Sequence, residues 1–149
     1  MTQPDASQRT QTPRHLWLVG VLALIWNGGG AFDYLMTATR DAEYMSSFTP
    51  EQLAYFYDFP SWVVVTWALS VWGGVLGALL LLARSRLALQ VFGLSLLTMA
   101  ITFFHNYVLT DGIAVSGGVA GLVFTAVIVA IAIFLFLYAM RLTKKRILV

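Results

Sequence analysis

The chain contains no cysteine, which removes disulfides, thiolate metal sites and thiol–disulfide exchange from consideration. Charge is scarce too: 11% of the 149 residues are Asp, Glu, Lys or Arg, against roughly 25% in a soluble domain. Histidine occurs only as His15 and His105, and the spans assigned below put them at opposite faces, so a haem held by two imidazoles is excluded. No metal-cluster spacing, P-loop, dinucleotide fingerprint or nucleophile elbow is present. The glycines of "NGGGAFD" follow no strand. The expectation is a protein with no enzyme activity, no cofactor and no metal.

Apolar residues fill the space instead. They make up 59% of the chain, and the mean hydropathy is +0.79. Lipid is the solvent such a composition suits. The length fits one domain. A pI near 9.2 would suggest nucleic acid in a soluble protein. Here the basic residues cluster at the edges of apolar runs, so the expected partner is the bilayer, with no nucleic acid.

Crossing an ~30 Å hydrocarbon core takes about 20 residues. Four runs qualify: Leu16–Met36, Ser61–Ala83, Leu87–Leu109 and Gly117–Met140. Arg9 and Arg14 precede the first, Arg84 and Arg86 join the second to the third, and Arg141, Lys144, Lys145 and Arg146 follow the fourth. Only Arg40 falls on the other side, with Asp41, Glu43, Glu51, Asp58 and Asp111. The positive-inside rule makes the basic side cytoplasmic. The predicted fold is therefore an all-α integral-membrane four-helix bundle with both termini inside. Residues 1–15 read as a disordered tail, 16–140 as the domain and 141–149 as a basic tail. A competing reading takes Arg9, Arg14, the apolar Leu16–Trp26 and the small residues Gly28–Ala31 as a cleavable signal peptide. The apolar continuation to Met36 argues against it, and a mature protein starting near Phe32 would remove the first helix.

The outer loop carries a helix signal. In "SFTPEQLAYFY", Thr49 is an N-cap, Pro50 takes the first helical position and Gln52 completes a capping box. Phe48 and Leu53 stand at staple positions. A short interfacial helix over residues 50–57 is predicted, with Tyr55, Phe56, Tyr57, Phe59 and Trp62 forming an aromatic belt and a lid over the bundle.

Small and polar residues recur at helical spacing in each span. Lipid gives helices no hydrophobic reason to associate, so close backbone contact at small residues defines their interfaces. On this basis Gly28, Gly29, Gly30, Gly73, Gly77, Gly117 and Gly121 are expected to pack helix on helix. Ser95, Thr98, Thr102 and His105 form a polar stripe on the third span, and Asn27 lies deep in the first as interhelical glue. Trp26, Trp67 and Trp72 are candidates for lining a pocket. Leu135, Tyr138 and Arg141 match a proposed sterol-contact pattern.

Asp33 is the costly residue. At ~1.5 Å per residue it lies about 26 Å along the first helix, and His105 about 27 Å along the third, parallel helix. Intramembrane ionisable groups are functional candidates. Two arrangements are open: Asp33 faces inward and meets His105, with Asn106, Tyr34 or Thr102 as further partners and Asn27 as a deeper candidate contact for a solute, or Asp33 reaches up to outer water and His105 caps a polar patch. A carboxylate beside an imidazole favours the charged ring and would make that pair responsive to pH. Two functions follow: transporter-like handling of a small polar solute or proton at this level, or an accessory membrane protein whose polar stripe only sets packing. Transport through four helices requires a homodimer or a larger assembly.

Three motifs carry a resemblance. They are W-N-x-x-G-x-x-D-Y at Trp26, Asn27, Gly30, Asp33 and Tyr34; F-T-P-E-Q at Phe48–Gln52; and W-x-x-x-V-W-G-G at Trp67 and Val71–Gly74. In these the segment from Leu16 to Leu82 resembles a group of small bacterial inner-membrane proteins, some labelled sugar transporters. The last two spans resemble that group only in length and hydropathy. The resemblance implies a multi-pass inner-membrane location and assigns no residue a role.

Overall fold

A computed structural model describes residues 12–149. Arg9 and most of the expected N-terminal tail lie outside the described residues. The described chain is helical and has no strand: α1 (Arg14–Ala38), α2 (Ala42–Met45), α3 (Pro50–Tyr57), α4 (Ser61–Leu82), α5 (Leu87–Phe104), α6 (Gly112–Val115) and α7 (Gly118–Lys144). A π-helical turn, His105–Leu109, extends α5. Four helices are long and apolar enough to cross a membrane, and they match the four predicted runs. Prolines mark three of the starts: Pro13 before α1, Pro50 opening α3 and Pro60 before α4. Proline fits there because the first helical turn has no intrahelical use for its N–H groups.

Two seams hold α1, α4 and α5 together. On the first, the Asn27 side chain of α1 lies over Gly74, and Leu82 of α4 lies over Gly20. On the second, the Phe92 ring covers Gly77, and Ser95 sits where a β-carbon at Gly73 would approach it to 3.1 Å. Polar bonds stitch the same face: Ser95 Oγ donates to the Ser70 carbonyl at 2.6 Å, and the Thr66 and Thr102 hydroxyls are 2.9 Å apart. Gly73 and Gly77 thus pack as expected. The other five expected positions show no such close seam. A β-carbon at Gly28 or Gly29 would meet nothing within 4 Å, and one at Gly30 would make only an ordinary contact with Val71. Nothing in the structure requires glycine at 28 or 29. Gly117 and Gly118 serve the entry to α7, with φ of 85° and 72°, where a side chain would be strained. Gly121 faces the carbonyl of Ser116 in its own preceding turn rather than a neighbouring helix.

The apolar core runs toward the basic end through Leu16, Leu81, Ala88, Leu135, Ala139 and Leu142. Residues 141–149 are no free tail, because Ile147 and Leu148 are buried in this core. The Val149 N–H donates to the Arg84 carbonyl at 2.8 Å, and the Arg86 N–H returns a bond to Val149 at 3.1 Å. His15, at the same end, lies 2.6 Å from the Tyr138 hydroxyl. Of the three residues of the sterol pattern, Leu135 is in the core, Tyr138 is half-buried beside His15 and Arg141 is exposed. Helix α7 is the least covered. It packs on α5, while an apolar groove of about 500 Å³ separates it from α1 between Val19, Leu22 and Trp26 on one side and Ile131 and Phe134 on the other.

Candidate functional site

The acidic end is built from short elements. Asp41 caps α2 by accepting from the Tyr44 N–H at 2.9 Å, which fixes Tyr44 above the end of α1. Its hydroxyl donates to Asp33 Oδ1 at 2.6 Å. That bond, with partial burial and the negative charge, raises the Tyr44 hydroxyl to a pKa of about 12. Asp33 therefore takes its partner from the loop.

The predicted capping box forms: the Gln52 N–H donates to Thr49 Oγ1 at 3.3 Å, and the Thr49 N–H donates to Gln52 Oε1 at 3.0 Å. Gln52 also reaches across to donate to the Val115 carbonyl at 3.0 Å, pinning α3 to α6. Tyr55 adds a second tie, its hydroxyl 2.7 Å from that of Thr110. The expected aromatic belt is partly turned inward: Phe59 stands edge-on to Tyr55, Trp67 and His105.

His105 begins the π turn. Such turns leave carbonyls without their usual partners, and Thr110 Oγ1 donates to those of His105 and Asn106 at 3.1 and 3.2 Å. The imidazole is 6% exposed, boxed by Phe59 and by Trp62 at 5.2 Å between ring centres. Its Nδ1 donates to Asn106 Oδ1 at 3.1 Å. The expected Asp33–His105 pair is not formed. Equal depth is a statement about one axis, whereas contact also requires matching rotation, and aromatic rings occupy the space around the imidazole.

What the acidic end does enclose is a cavity of about 270 Å³. Asp33 and Thr37 of α1, Asn106 and Tyr107 of the π turn, Gln52 of α3 and Thr125 of α7 supply its polar wall. The Tyr107 and Thr125 hydroxyls lie 2.9 Å apart, linking π turn and α7. Of the sequence candidates, Asp33 and Asn106 reach this cavity. Thr102 is spent on Thr66, and Asn27 donates to its own helix at Ala23 O, 2.7 Å away. Tyr34 packs edge-on against Trp67. Trp67 lines the cavity; Trp26 stacks toward Phe124 near the apolar groove, and Trp72 is half exposed.

Sequence reasoning missed Tyr44, Gln52 as a lining residue, Tyr107 and Thr125. For Tyr44 a signal exists, since it stands three residues after a good N-cap, Asp41. Among the described residues no group of three or more His, Asp or Glu could hold a metal ion. The fold and site together define a class, an all-helical protein suited to multiple membrane crossings with one acid-bearing cavity at an end. Comparison with family models, with curated proteins and with solved structures returns no match.

Proposed function

We propose that this chain is a multi-pass protein of a bacterial inner membrane that takes up a small polar solute from the outer side at the level of Asp33. The observation that carries the reading is the cavity of about 270 Å³ with Asp33 in its wall. A carboxylate near the membrane is held at a cost, and here it borders the cavity as well as the Tyr44 hydroxyl. The basic end, with Arg84, Arg86, Arg141 and Lys144, is cytoplasmic by the positive-inside rule. The cavity then opens toward the outside, with α3 on the outer surface as its lid. Helix α7, with little of its surface buried, is the wall most able to move. Transport needs a second copy or another membrane protein to complete the path. The resemblance to small inner-membrane proteins, some labelled sugar transporters, supports the same reading. No catalysis is proposed.

A thermal-shift screen of the full chain in lipid nanodiscs, against sugars, amino acids and cations at two pH values, tests it. At least one class should raise the unfolding midpoint saturably in the parent and not in Asp33→Asn. If none does, the accessory reading takes its place. One observation favours that alternative: the groove between α1 and α7 leaves apolar surface on both helices free for a partner helix.

A further inference from the structure

We propose that the solute held at Asp33 is an organic cation with a diffuse charge, such as a small quaternary ammonium compound. The inference rests on the solute-binding reading above and adds the chemical class.

Three observations carry it. First, Asp33 is the only Asp, Glu, Lys, Arg or His in the cavity wall. Among the described residues its one hydrogen-bond partner is the neutral Tyr44 hydroxyl, and no cation is paired with it. A neutral sugar leaves it uncompensated, and an anion is repelled. Second, six aromatic side chains share the wall: Phe48, Tyr55, Phe56, Trp67, Tyr107 and Phe124. Ring faces attract cations, most strongly when the site is dry. Third, the surroundings carry the same sign. Asp41, Glu43, Glu51, Asp58 and Asp111 lie in the segments at this end of the bundle, against the single Arg40. The Arg40 guanidinium is already seated over the Tyr57 ring at 4.3 Å. A rim of one sign raises the local concentration of oppositely charged solutes.

The donor set also selects among cations. Hard metal ions want about six to eight oxygen ligands, largely carboxylate and carbonyl. One carboxylate beside neutral amides, hydroxyls and six rings suits instead a weakly hydrated, soft-shelled charge. Asp33 would set the depth of the ammonium group, and Trp67 with Tyr107 would flank its methyl groups.

Equilibrium binding to the full chain in nanodiscs tests this with tetramethylammonium chloride, glucose and sodium acetate as probes, ionic strength being matched with sodium chloride. Saturable binding of tetramethylammonium is expected, and of neither other probe. Asp33→Asn should weaken it by about tenfold or more, the loss of an ion pair in a partly buried site, while Asp33→Glu, which keeps the charge, should retain most of it. Trp67→Leu leaves the carboxylate and its Tyr44 contact in place and should cost about threefold, the worth of one cation–π contact; it serves if the Asn variant does not fold. Equal binding of tetramethylammonium to the parent, Asp33→Asn and Trp67→Leu overturns the proposal. Saturable glucose binding without tetramethylammonium binding also overturns it, yet leaves the solute-binding reading standing. Binding of none of the panel, these probes and the wider screen alike, removes both.

Discussion

Gly74→Ala is the perturbation that tests most directly how α1 is seated. Asn27 donates to Ala23 O at 2.7 Å, and its side-chain oxygen occupies the space that a β-carbon at position 74 would fill. The substitution must therefore turn the amide away or part the helices. Overpacking a tight seam costs about 1–3 kcal/mol, and losing the amide's bond adds about 1 kcal/mol. The expected loss is about 2–4 kcal/mol. Asn27→Ala alone removes one bond and some contact, about 1 kcal/mol. In the double variant the new methyl group enters the space that the amide has vacated, so the pair should cost little more than Asn27→Ala by itself. That is a favourable coupling of about 2–4 kcal/mol. Reversible unfolding of the full chain in mixed micelles, followed by circular dichroism, measures all four corners of the cycle. Independent sites add to within ~0.5 kcal/mol, so additivity at that level would refute the seating of Asn27 on Gly74. Asp33 stands less than two turns further along α1. Solute binding should accordingly fall in the single Gly74 variant and return in the double.

Tyr44 should ionise near pH 12 instead of near 10, and Asp33→Asn should lower that midpoint toward the ordinary tyrosine value, as read from tyrosinate absorbance. Because the folded-state value is the raised one, the contribution of the Tyr44–Asp33 bond to stability is complete below about pH 10 and is lost as pH climbs through about 12. The absence of native cysteine makes sidedness easy to test. A cysteine introduced at Asp111 should react with a membrane-impermeant maleimide on intact cells, and one at Lys145 should react only after permeabilisation; the reverse pattern would invert the assigned orientation. Gly28→Ala and Gly29→Ala, with open space around both positions, should stabilise the isolated chain by up to about 1 kcal/mol through helix propensity. Loss of a cross-linked oligomer in either variant would instead identify that face as a contact between copies.

The crossings could be read from the sequence because lipid imposes a length on each of them, and a run such as Ser61–Leu82 has no alternative use. The cap of α3 could be read because Thr49, Pro50 and Gln52 interact within one turn and need no knowledge of the rest of the fold. Rotation about the helix axis was a different matter. The apolar residues of α1 surround the helix almost evenly, and most of its surface is left uncovered by other helices, so hydropathy gives depth without direction. The sequence puts Thr102 and Ser95 on one stripe without saying which helix they meet; they turn to α4 because a buried hydroxyl must find a carbonyl or another hydroxyl, and α4 offers both. Small size carries no such requirement. Gly28 and Gly29 satisfy the packing pattern and touch nothing, while Gly117 satisfies it and answers to a backbone angle.

The cavity was the least legible feature, and the reason lies in how it is assembled. Asp33, Gln52, Asn106 and Thr125 come from four separate segments, and each taken alone has a sufficient local explanation as a cap, a turn or a surface group. They converge because the ties between the short elements leave no freedom at this end. Asp41 orients Tyr44, Gln52 holds α3 on α6, and Thr110 closes the π turn beneath Tyr55. Gly112 is a tight point of that arrangement, where a β-carbon would fall on the Asn106 carbonyl and against the Tyr55 hydroxyl. Any side chain there must push the π turn away from α3, and Asn106 would leave the cavity wall with it. Gly112→Ala should therefore abolish solute binding while the four long helices persist, with circular dichroism little changed. A variant that bound normally would mean that the wall does not depend on this junction.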